Sequence, residues 1–322
     1  MKALVYMGER SLEVQDLPAP EGAFVVRVRG CDICGTDLKT YLHGHPNFTP
    51  PCILGHEFIG NVERAPLESG FKPGDPVVVA PYGECGKCEL CLRGAGELCR
   101  SKHHVSSGAF CELVEVPLDF VKEGVIKLDT LDDAYTLVEP LACVLTAMEK
   151  MRVTPKSNVL IAGGGPMGML FALMLASEGV RVTISEPVET RRAQVIALGV
   201  NAVAPETVTA SDYDNIVVAV NLPPLVEEYV KSVGDNGTVH VFAGLPGGTV
   251  LSLDAYAIHY RGVTVTGSSG FNLPAFHRAY EIIRQNPAHF RRLITHRFEL
   301  ENASEAFETL AEGKAFKVLV KP

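Results

Sequence analysis

Four cysteines, Cys85, Cys88, Cys91 and Cys99, fall within fifteen residues in the order C-x2-C-x2-C-x7-C. Four thiolates at this spacing can surround one Zn²⁺ tetrahedrally and leave no position for a substrate, so such a site stiffens a loop and catalyses nothing. Gly86, Gly94 and Gly96 interrupt the run and permit tight turns around the ion. Disulfides or merely buried thiols are the alternative, but chance clustering rarely produces this order. A second constellation is open. Cys34, in Cys34-Gly35-Thr36-Asp37, offers a thiolate, and His56, in Gly55-His56-Glu57, a neutral imidazole. Glu57 and the distant Glu139 offer carboxylates. A thiolate, an imidazole and one carboxylate leave a fourth position for water or a substrate oxygen, as a catalytic zinc requires. Asp37 can hold the far ring nitrogen of His56. Taken alone, Cys34 and His56 would read as a buried thiol and a satisfied core histidine.

A third motif binds phosphate. Gly163, Gly165 and Gly168, in the run GGGPMG with Pro166 and Met167, satisfy G-x-G-x-x-G between the apolar run VLIAG and the helix-forming MGMLFALMLASEG. The first glycine allows the turn, the second lets a pyrophosphate approach the backbone, and the third lets helix pack on strand. The helix N-terminus then presents free N–H groups to the phosphates. Glu186 ends the next apolar run, VRVTISE, eighteen residues beyond Gly168. A carboxylate there accepts from both ribose hydroxyls and repels a 2′-phosphate, which favours NAD(H) over NADP(H). Arg191 and Arg192 follow closely and leave NADP(H) open.

Two kinds of chain must position these groups. Up to about residue 140, short alternating runs (AFVVRVRGC, PVVVAPY, FCELVEVP) bounded by Gly and Pro predict an irregular β domain. AYTLVEPLACVLTAMEKM has helical periodicity. From Ser157 onward the apolar runs NVLIAGG, VRVTISE, DNIVVAV, TVHVFAG and VTVTGSS alternate with helical stretches, the pattern of a doubly wound parallel sheet. The tail from Asn286-Pro287 reads as strand, helix, strand, and its KVLVKP can return to the first domain. The chain therefore divides into 1–142 with 287–322, and 143–286. Its 322 residues suit two domains, and its net charge of −9 argues against nucleic-acid or anionic-membrane partners. Met1-Lys2 leads into an alternating run instead of an apolar leader, and nine cysteines suit a reducing compartment, so a soluble cytoplasmic protein is expected.

Together these motifs resemble the zinc-dependent medium-chain dehydrogenases of the alcohol dehydrogenase superfamily, over essentially the whole chain. The resemblance rests on CGTD at 34–37, GHE at 55–57, the cysteine quartet, GAFCELVEVP at 108–117, VEPLA at 138–142 and GGGPMG at 163–168. VEPLA and IHYRGVTVTGSSG are most similar to sorbitol (L-iditol) and other polyol dehydrogenases. The resemblance implies a GroES-like catalytic domain, a Rossmann domain inserted in it, catalytic and structural zinc, NAD, and a homodimer or homotetramer. It makes Cys34 and His56 catalytic zinc ligands, with Glu57 or Glu139 as the third, and Thr36 the hydroxyl that meets the substrate alcohol. Where polyol and threonine relatives carry a relay histidine three residues further on, this chain has Lys39, which would relay protons if desolvated, bind a cofactor phosphate or face water. The implied reaction is hydride transfer between a secondary alcohol and its ketone. Threonine or amino-alcohol oxidation, a zinc-free enone reductase and a non-catalytic NAD-binding protein are the alternatives.

Overall fold

Alternating apolar residues build the β-structure of the first part of the chain. The computed structural model describes residues 1–322 as two units, Met1–Ala142 with Phe271–Pro322, and Cys143–Gly270. In the first unit a seven-stranded sheet runs in the order Val125–Lys127, Pro76–Val79, Glu57–Arg64, Val25–Asp32, Lys317–Lys321, Ile294–Glu299, with Leu113–Glu115 also pairing with Val25–Asp32. Val25, Val26, Val28, Val77, Val78, Val79, Val318 and Val320 are buried and form its core. The last strand pairs antiparallel with Val25–Asp32, so it joins the sheet that carries Asp32 and Glu57.

Three local features set the site. Asp32 and Glu57 are direct register partners on neighbouring strands. The helix Gly35–His43 starts at once after Cys34, whose backbone is extended (φ −82°, ψ 158°) and whose N–H donates to Asp37 Oδ2 at 3.0 Å. That bond caps the first turn, and Gly44 at φ 70° ends the helix.

In the second unit six parallel strands, Asn158–Ala162, Arg181–Ser185, Ala202–Val203, Asn215–Val218, Thr238–Val241 and Thr264–Gly267, are arranged 3-2-1-4-5-6 in order of sequence. This is the doubly wound order of dinucleotide-binding folds. The central strands are buried along nearly their whole length, which explains their continuous apolar runs. Val226, Tyr229, Val230 and Ala257 from the helices pack on Leu160, Ile216, Val218 and Val239 of the sheet.

The domain limit differs from the expected 286/287. The helix Leu273–Gln285 belongs to the first unit, where Leu273 N–H donates to Glu84 Oε2 at 3.0 Å and Tyr280 Oη to the Lys127 carbonyl at 3.4 Å. Its amphipathic period shows that one face is covered but not which sheet covers it. No helix is long and apolar enough to cross a membrane.

Candidate active site and nucleotide loop

The strand end at Asp32, the helix start at Gly35 and the turn at Gly55 bring three ligand types together. One ligand atom each from Cys34, His56 and Glu57 lies within 4.8 Å of the others. Asp37, fully buried, organises them: Oδ2 accepts from Cys34 N–H, and Oδ1 accepts from Gly55 N–H at 3.2 Å and lies 3.5 Å from His56 Nδ1. The other ring nitrogen is thereby left for the group, the usual arrangement of a metal-binding histidine. Burial would push the imidazole down, but the charges of Asp37 and Cys34 outweigh it and hold His56 well above its ordinary value. Burial and the Glu57 charge raise the Cys34 thiol; a dication between them would reverse this and favour the thiolate. Gly55 is needed at its place: φ is 94°, and a Cβ would meet Cys31 Sγ at 2.9 Å and Phe110 at 3.0 Å.

Glu57 is wholly buried and tests the fit to a metal. Its Oε2 is paired with the ammonium of Lys317, while Oε1 has no hydrogen-bond partner. An orphaned carboxylate oxygen beside a thiol and an imidazole is the donor set a zinc site uses. Glu139 is not in this group; it sits, buried, on the first turn of the separate helix Val138–Met148. Lys317 and Asp32 were missed by sequence reasoning. Asp32 accepts from Thr136 Oγ1 at 2.8 Å, and burial, then the Glu57 charge, push it up to about 8 against the opposing pull of Lys317. A lysine within the apolar run AFKVLV was the available signal.

Thr36 and Lys39 lie exposed on the first turns of Gly35–His43. Lys39 is in no ion pair, and the desolvation that a proton-relay role would need is absent. Cys31, the other half of the C-x-x-C, is fully buried and its thiol is free, as a packing residue would be.

The quartet also converges. Cys88 Sγ lies 3.4 Å from Cys91 and 3.8 Å from Cys99, and Cys85 lies 4.0 Å from Cys91. A tetrahedron with Zn–S of about 2.3 Å has S–S edges of about 3.8 Å, whereas a disulfide would need about 2.05 Å. The Cys91 backbone N–H, first among its hydrogen bonds, lowers the Cys88 thiol to about 6.

In the second unit the run Gly163–Gly168 joins the strand Asn158–Ala162 to the helix Pro166–Ser177, with Pro166 in its first turn. A Cβ at Gly165 would meet nothing within 4 Å, so the backbone there is open to a phosphate. A Cβ at Gly168 would fall 2.0 Å from the Gly163 carbonyl oxygen, so the helix can pack there only on glycine. Met167 stands beside the buried turn that begins at Gly168. Glu186 accepts from Gly164 N–H through Oε2 and from Val188 N–H through Oε1, both at 2.9 Å. The carboxylate is thus fixed at the strand tip against the glycine loop. The Arg191 guanidinium is lowered by burial and drawn back by Glu186, and Arg192 donates to the Glu186 and Pro187 carbonyls.

Comparison with known proteins matches two families along the chain, the second spanning all of the second unit and the returning C-terminal segment of the first. Residues 20–127 match the alcohol dehydrogenase GroES-like domain and residues 132–321 the glucose dehydrogenase C-terminus. The chain is 30% identical to a D-altritol 5-dehydrogenase of Agrobacterium fabrum, over 93% of each chain. It is 29% identical to an L-threonine 3-dehydrogenase of Pyrococcus furiosus, covering 99% of this chain and 97% of that one. It superposes with a TM-score of 0.89 and 27% identity on a protein from Sinorhizobium meliloti described as a zinc-binding dehydrogenase and solved with NADP, covering 100% and 99% of the two chains.

Proposed function

The chain belongs to the zinc-dependent medium-chain dehydrogenases, and from that premise we propose that it interconverts a secondary alcohol, of the polyol or sugar-alcohol class, with its ketone. The observation that carries this reading is the convergence of Cys34, His56 and Glu57 with an unpartnered oxygen on Glu57. When bound there, zinc supplies a Lewis acid that polarises an alcohol or carbonyl oxygen, and a nicotinamide cofactor supplies the hydride acceptor or donor. Cys34, His56 and Glu57 would hold the metal. Asp37 fixes the ring of His56 and the backbone of Cys34 and Gly55. Lys317 neutralises one oxygen of Glu57 and leaves the other free. Glu139 is the alternative carboxylate.

Thr36 takes the proton that leaves the substrate hydroxyl and, being exposed, passes it to solvent. Gly163, Gly165, Pro166, Met167 and Gly168 cradle the pyrophosphate, and Glu186 reads the ribose, giving NAD(H) preference with Arg191 close by. Cys85, Cys88, Cys91 and Cys99 hold a structural zinc. Nine free cysteines suit a reducing, cytoplasmic setting. An assembly of two or four copies is part of the reading and is checked by light scattering.

The test is a panel of polyols, sugar alcohols and amino alcohols with NAD and NADP, read at ~340 nm where reduced nicotinamide absorbs. Turnover that requires zinc is expected; binding of NAD without oxidation of any alcohol would leave only the non-catalytic alternative. Threonine or an amino alcohol is the second reading, favoured by the likeness to the P. furiosus threonine dehydrogenase over nearly the whole chain.

A further inference from the structure

The helix that begins at Cys34 has a buried side and an exposed strip of one chemical character. Asp37, Thr40 and Tyr41 are buried. Thr36, Lys39 and His43 are exposed and fall at i, i+3 and i+7, within one narrow arc of the helix. Asp37 is the helix's one acidic residue, and its oxygens are engaged with Cys34, Gly55 and His56. In a chain of net charge −9, the strip leading away from the metal group therefore carries a hydroxyl, an ammonium and an imidazole, and no carboxylate. The Lys39 ammonium is in no ion pair, whereas exposed Arg10, whose backbone N–H donates to the Tyr41 carbonyl of the same helix, pairs with Glu308.

We propose that Lys39 reads an anionic group on the substrate, so that the preferred secondary alcohol carries a carboxylate or phosphate a few carbons from the reacting carbinol. The inference rests on the alcohol-oxidising reading above and narrows it. An ammonium is a point charge suited to oxyanions. Successive turns put Thr36 and Lys39 about 5–6 Å apart at Cβ, so a flexible four-carbon stem holds an anion roughly 5–8 Å from an oxygen held at Thr36, the span of about two to four carbons. With the ammonium exposed, the role is one of attraction and orientation and not of proton transfer.

Matched pairs of substrates test this: 2,3-butanediol against 3-hydroxybutyrate for a carboxylate, and D-glucitol against D-glucitol 6-phosphate for a phosphate. In the wild type, kcat/KM for at least one anionic member should exceed that for its neutral partner about tenfold, the size of one charge-assisted hydrogen bond. Lys39→Ala should lose that advantage, mainly through KM, while the neutral partner changes much less; Lys39→Arg should retain most of it. Equal rates within both pairs overturn the proposal and leave the alcohol dehydrogenase reading standing. So does a Lys39→Ala loss equal on both members with a shifted pH profile, which marks a proton relay. A loss confined to KM for NAD(H) overturns it in favour of a cofactor-phosphate contact. Failure of every neutral and anionic alcohol overturns both readings together.

Discussion

Asp37 is the residue on which the open centre depends, because one buried carboxylate ties Cys34, Gly55 and His56 together. Asp37→Ala should lower zinc affinity about 10–100-fold, the usual cost of losing the partner of a ligating histidine, as read by competition with a chelator. The two candidate carboxylates separate by the same measurement. Glu57→Gln is expected to release the metal more readily, whereas Glu139→Gln should alter affinity less; the reverse order would make Glu139 the third ligand. Lys317→Met leaves Glu57 buried and unpaired, at a cost of about 3–5 kcal/mol in urea unfolding, and adding Glu57→Gln should recover part of it. Cys34 and His56 were legible in the sequence because metal chemistry uses few residue types in short motifs, whereas Glu57 and Glu139 stood there as equal candidates for the carboxylate. Lys317 was not, because its partner lies 260 residues away and a lysine is ordinarily a solvated surface group.

At the scale of elements, the glycine loop and the cysteine lobe make separate predictions. Gly168→Ala forces a Cβ against a backbone carbonyl that cannot yield locally, so the helix Pro166–Ser177 must shift. The expected result is about 1–3 kcal/mol lower stability and at least about tenfold weaker NAD(H) binding by fluorescence titration; normal binding would show that the helix does not need this contact. Cys88→Ser should lower Tm and remove one metal while leaving the metal at Cys34 in place, since the lobe is a loop clamp. The strands of the parallel sheet were readable because burial on both faces leaves uninterrupted apolar runs. The helix Leu273–Gln285 was misassigned because periodicity reports a buried face and not its partner. The short strand Ala202–Val203, two residues at the sheet edge, has too few residues to show a period.

For the molecule as a whole, one buried group links stability to pH away from either metal group. His240 is fully buried on the strand Thr238–Val241, with Nε2 3.0 Å from Ser268 Oγ. Burial, then the Lys150 charge, lowers its imidazole to about 4 from an ordinary value of 6.5. The folded state thus binds the proton less readily than the unfolded chain. Its contribution is complete above about pH 6.5 and is lost as pH falls toward about 4, amounting to roughly 3 kcal/mol. His240→Gln should flatten the pH dependence of the urea midpoint across that window; an unchanged slope would assign the acid sensitivity to other groups. The acidic balance and the two-part architecture were both present in the composition and the motif order, whereas the substrate was not, because it is read by side chains such as Lys39 that obey no fixed spacing. The central claim, that Cys34 belongs to an open catalytic centre and the quartet to a closed structural one, is tested most directly by zinc content and alcohol oxidation in Cys34→Ser. The variant should keep its fold and the quartet's metal and lose turnover by at least about a thousandfold, as removal of an electrostatic catalyst does; a Cys34→Ser protein that still oxidises its alcohol at the wild-type rate would contradict it.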